Sequence, residues 1–170
     1  CVDQKAEAAR GGDKLANRHV AKLAPVELGA DAVLLSTAIL GASLEEVLDA
    51  CTVYGVEGAV EVHTPNELDF ALRAGATLLV CSNRDRATGE LFPNQALGLA
   101  ALVPPNVVAL AASGLGADLG EAQALAAAGF EGVVLGRRLL ADPAEARSFA
   151  ARLRDTEVPA VARLAGGEAC

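Results

Sequence analysis

The chain has 170 residues, 52% of them hydrophobic but only 3% aromatic, and a formal net charge of −8. That length supports one domain with a sizeable core, and the composition excludes disorder while suiting a parallel sheet buried under Ala/Leu helices. The acidic balance disfavours nonspecific nucleic-acid binding, because phosphates would be repelled, and despite a mean hydropathy of +0.34 no apolar run is long enough for a transmembrane helix.

Residues 1–29 read as a helical segment, Ala-rich with Lys and Arg interspersed and interrupted near Gly11-Gly12 and Pro25. Ala30–Leu35, opened by Gly29, is the first clear strand. Ala42-Ser43 begins a helix whose SLEEVLDAC pattern puts Leu44, Val47, Leu48 and Cys51 on one side, and Gly55 ends it. Ala59–His63 is a short β-branched strand. Thr64 follows as an N-cap, with Pro65 in the first turn and Glu67 placed to close a capping box, so a helix is predicted over Pro65–Ala74 with Gly75 past its end. Thr77–Ser82 is a continuous apolar run, the mark of a parallel strand buried on both faces.

A polar loop, Asn83–Phe92, leads to a helix around Asn94–Leu102, a Pro104-Pro105-Asn106 turn and the strand Val107–Ala112. Asp118 caps a helix over Leu119–Ala128, which Gly129 closes. Gly132–Leu135 is the last strand, followed by Gly136 and a basic turn, Arg137-Arg138. Pro143 opens a final helix through Arg154, and residues 156–170 form a tail without firm periodicity. About five strands alternate with helices and none is joined to the next by a hairpin turn, so the sheet is predicted to be parallel. Ligands in such folds sit at the C-terminal strand ends, which here carry Glu61-Val62-His63 and Ser82-Asn83-Arg84-Asp85. A lone His at a strand end is also an ordinary hydrogen-bonded structural residue.

The cysteines, Cys1, Cys51, Cys81 and Cys170, show no CxxC spacing. They read as buried apolar thiols, and no metal or cofactor is expected. A chain without methionine that begins at Cys1 fits a processed mature protein or a fragment.

The run GAVEVHTPNELDFALRAGATLLVCSNRD, with GADAVLLSTAIL before it and AASGL and VVLGRRLL after it, resembles indole-3-glycerol-phosphate synthase, a (β/α)8-barrel enzyme of tryptophan biosynthesis. The similarity covers roughly Gly29 to Asp155. It implies an α/β fold of parallel (βα) units, an incomplete TIM-type barrel of about five strands spanning residues 30–155. These five correspond to the family's fourth to eighth strands. Five strands cannot close with normal tilt and shear, so two edges and an apolar inner face are expected to stay open. The N-terminal segment, a second copy or another protein must cover that face.

The family decarboxylates and closes a ring on a phosphorylated anthranilate derivative, using positioned lysines and glutamates and a phosphate grip near the last two strands. By this resemblance its catalytic lysines lie on strands without a counterpart here, and Lys5, Lys14 and Lys22 read as solvated. Glu61 matches the acidic residue of EVH, or is a charged strand end near solvent. Ser82 stands where the family has a substrate-contacting asparagine, and Asn83 falls one position late. Arg84 matches the family's arginine, or is a solvated loop residue paired with Asp85. Ala112 replaces the glutamate of E-S-G, removing a base. Ser113, Gly114, Gly136 and Arg137 remain as a candidate phosphate-binding set, although glycine after a strand is also ordinary turn punctuation.

Three functions follow. The resemblance favours a catalytically inactive relative serving as a structural or assembly subunit of a larger complex, with a protein partner over the open face. The alternatives are a residual binder of a phosphate-bearing metabolite, and an active carboxy-lyase whose missing half is supplied in trans. Because the family works in the plastid of photosynthetic eukaryotes, a plastid assembly such as a photosynthetic complex is the expected setting.

Overall fold

The computed structural model describes residues 29–155 except 87, 116 and 117. The expected N-terminal helical segment up to residue 28, its lysines, and the tail from residue 156 lie outside the described residues. Five strands form one parallel sheet in sequence order: β1 (Ala32–Ser36), β2 (Glu57–Val62), β3 (Leu78–Ser82), β4 (Val108–Ala112) and β5 (Gly132–Val134). Helices occupy the connections: α1 (Thr37–Leu40), α2 (Leu44–Tyr54), α3 (Pro65–Arg73), α4 (Gln95–Ala100), α5 (Leu119–Ala127), α6 (Arg137–Leu140) and α7 (Pro143–Arg154).

Local signals set the best-defined boundaries. Thr64 Oγ1 accepts from Glu67 N at 3.2 Å while Glu67 Oε2 accepts from Thr64 N at 3.1 Å, so the capping box closes in both directions. Asp118 and Asp142 cap α5 and α7 through their side chains. Two short helices were not expected. The chain turns directly from β1 into α1, held by a bond from Thr37 Oγ1 to Glu61 O at 3.0 Å, and the basic turn after Gly136 is the helix α6. Four residues carry too little periodicity to reveal either.

Register separates the two sheet faces. Leu35, Val60, Val62, Leu79, Cys81, Ala109 and Ala111 lie under the helices and merge with Leu44, Val47, Leu68, Leu99 and Leu125 into the main core. Packing is close there: a Cβ on Gly58 would sit 2.5 Å from Leu48 Cδ2, so glycine lets α2 settle onto β2. The opposite, inner face runs in rows. Leu34, Ala59, Leu78 and Val108 form one, Ser36, Glu61, Val80, Leu110 and Gly132 the next, and Ser82, Ala112 and Val134 the last. Its centre is a small cluster of Ala59, Val80 and Ala112. Its flanks are wet, with Leu34 53%, Val108 37% and Val134 42% exposed. Among the described residues β1 pairs only with β2 and β5 only with β4, so both edges and the inner face are open, as expected from five strands. No helix among these residues is long and apolar enough to cross a membrane.

Cys51 and Cys81 are buried free thiols. Burial, and to a lesser degree the Glu57 charge, pushes Cys51 up. Burial alone pushes Cys81 up from 9.0 to about 12. Below the unfolded value both states keep the proton and stability is full. Above it the unfolded thiol ionises first, so stability falls as pH rises from about 9 towards about 12. At about 1.4 kcal/mol per unit the loss is on the order of 4 kcal/mol. Denaturant unfolding at pH 8, 10 and 11 should show this slope, and Cys81→Ala should flatten it.

Candidate functional site

The C-terminal strand ends gather most of the residues singled out in the sequence. Glu61, on the inner face at the end of β2, is only 6% exposed. A carboxylate so buried needs a cation or several donors. Arg86 supplies it: its Nε–H donates to Glu61 Oε2 from the loop after β3. The sequence reading passed over Arg86. The available signal was a strand-end acid on one strand facing the Arg-Asp-Arg run that follows its neighbour. Arg84, which matches the family's arginine, turns to its own loop, where Nη1 donates to Gly89 O at 2.6 Å and the backbone bridges Leu91.

Ser82 and Asn83 are fully or nearly buried and organise the rim. Ser82 Oγ accepts from Arg84 N at 3.1 Å and lies 3.2 Å from Arg84 O and 3.0 Å from Ser113 Oγ. One hydroxyl proton cannot serve both oxygens, so Ser113 donates to Ser82 when Ser82 donates to Arg84 O. Asn83 is turned into the fold. Its Oδ1 accepts from Ala96 N at 2.8 Å, capping α4, whose own N-cap residue Asn94 is left-handed and makes no side-chain capping bond. His63 is likewise held within the rim. Its Nδ1 lies 3.0 Å from Ser82 O, which requires the proton on Nδ1, and its ring lies against Phe92 with centroids 5.6 Å apart.

The candidate phosphate residues share one edge, because Ala112 and Val134 are register partners. Ser113 and Gly114 follow β4 with φ of 66° and 70°. A left-handed serine is uncommon and tends to occur where a backbone is held for a purpose. Around Gly136 there is open space, whereas a Cβ on Gly114 would lie 3.0 Å from Leu91 Cδ2. Arg137 opens α6, and its side chain lies outside the described part. Gly114→Ala is expected to cost about 1–2 kcal/mol through its left-handed backbone, with a further loss from the Leu91 contact. Thermal melting of Gly114→Ala with and without Leu91→Ala separates the two parts, and only the second is relieved.

Ala112 is 5% exposed and presents only a methyl group on the inner face. Among the described residues no group of three or more His, Cys, Asp or Glu side chains is placed to hold a metal ion.

A family model described as indole-3-glycerol phosphate synthase matches residues 21–153. The chain belongs to the indole-3-glycerol phosphate synthase family. It is 40% identical over 115 residues to indole-3-glycerol phosphate synthase from Chlorobium chlorochromatii, covering 66% of this chain and 44% of that protein. It is 40% identical over 113 residues to that of Mycobacterium avium, covering 66% and 41%. The chain thus spans less than half the length of these synthases. Among solved structures it is similar to a thiamine phosphate pyrophosphorylase from Pyrococcus furiosus, with TM-score 0.57, 16% identity and 74% and 58% of the two chains covered. A native KDPGal structure gives TM-score 0.55 and 21% identity, covering 82% and 66%. These likenesses concern the fold, a partial sheet of the TIM-barrel type, and agree with the synthase family's architecture.

Proposed function

We propose that this family member has lost the family's ring-closing turnover and keeps its (βα) units as a structural or assembly subunit, with a protein partner over the open inner face. Ala112 carries the reading. The family pattern places a glutamate there, and neither further strands nor another chain would restore a carboxylate at that position. General acid–base groups commonly contribute about 10² to 10⁴ each, so its loss alone takes turnover far below that of the relatives. The exposed Leu34, Val108 and Val134 supply the second half: an apolar surface on the inner side of an unclosed sheet.

The left-handed Ser113-Gly114 pair and the open space at Gly136 support a residual site for a phosphate-bearing small molecule within the same subunit. The test is product formation from the family's phosphorylated anthranilate substrate by the native protein together with whatever accompanies it. Wild type should turn over more than about a hundredfold more slowly than the relatives. Turnover within about a hundredfold of the relatives would exclude the reading.

A further inference from the structure

The end of β1 and the loop after β3 enclose a cleft of about 160 Å³ on the rim, lined by Ser36, Thr37, Glu61, His63, Glu67 and Arg86 among others. Its volume equals that of about five waters, enough for a compound of a few heavy atoms. Both signs of charge face it: Arg84 and Arg86 against Glu61, Glu67 and Asp85. Glu61 engages only Nε of Arg86, which leaves the outward edge of a guanidinium whose side chain is 47% exposed. That edge is a planar fork suited to a carboxylate. Ser36 makes no capping bond to α1, so its hydroxyl is available alongside. Glu67 accepts both the His63 and Thr64 amides through Oε2, which leaves Oε1 to accept from a cation.

We propose that this cleft binds a small zwitterionic α-amino acid. Its carboxylate lies on the outward edge of Arg86 beside the Ser36 hydroxyl, and its ammonium lies at Glu67 Oε1. With two arginines facing three carboxylates, a simple anion meets excess negative charge and a simple cation meets Arg86. A ligand that carries both charges and no net charge suffers neither penalty. The assignment stands whether or not the family's turnover is retained.

Isothermal titration calorimetry with glycine, L-alanine and L-serine, and separately with acetate and methylammonium, tests it. At least one of the three amino acids should bind saturably, at least tenfold more tightly than either single-charge probe. Arg86→Lys keeps the charge beside Glu61 but loses the fork, and should weaken that binding at least tenfold. Glu67→Gln keeps a capping-box acceptor, removes the charge, and should weaken it comparably if the lysine variant does not fold. Absence of saturation below about 10 mM, acetate binding as tightly as the amino acids, or indifference to both variants would overturn the proposal.

Discussion

Leu79→Ala should destabilise the domain by about 2–5 kcal/mol, whereas Leu34→Ala should change stability by well under 1 kcal/mol. Both residues are strand leucines, on β1 and β3 with β2 between them, and a sequence cannot tell them apart by type. Leu79 is 0% exposed in the centre of the sheet beneath the helices, and truncating it leaves a cavity that the surrounding strands and helices cannot fill. Leu34 points to the inner face and is 53% exposed, so most of its surface is already hydrated in the isolated chain. Urea unfolding of both variants checks the pair. A midpoint shift for Leu34→Ala as large as for Leu79→Ala would mean that the inner face is covered in the isolated chain.

The second large effect lies at the rim. Arg86→Ala removes the cation beside a Glu61 carboxylate that is nearly sealed from water. Stripping one partner from a buried pair commonly costs about 3–5 kcal/mol, but Arg86 is half-exposed and water enters the gap, so about 1–3 kcal/mol is expected. Adding Glu61→Leu to Arg86→Ala should recover most of that loss, since an apolar replacement leaves no stranded charge. A double-mutant cycle by chemical denaturation, with Glu61→Leu as the other single variant, measures the coupling. A cycle that closes at zero would show that the ion pair contributes nothing.

Much of the fold was legible because local chemistry and tertiary structure agree. Thr64, Pro65 and Glu67 specify a helix start that needs no long-range help, and both capping bonds form. Gly55, Gly75 and Gly129 all take positive φ where the helices end. The apolar run ending at Ser82 is the central strand of the sheet, and Val47 and Cys51 face the core as their spacing requires.

What local sequence does not show is a role set by a distant partner. Asn83, one position past the place of the family's asparagine, caps a helix that starts more than ten residues later. Arg84 and Arg86 are chemically identical and two apart, and only the path of the loop decides which one reaches Glu61. The helices α1 and α6 are too short to impose a period. His63 makes the backbone contact and ring packing open to any strand-end histidine.

Cross-linking from the inner face tests the central claim most directly. A photoreactive benzoyl-phenylalanine placed at Leu34 should, on irradiation in the source cells, join this chain to a second, different polypeptide, identified by mass spectrometry. Products confined to the chain itself, or none at all, would contradict a subunit whose unclosed sheet is completed by a partner.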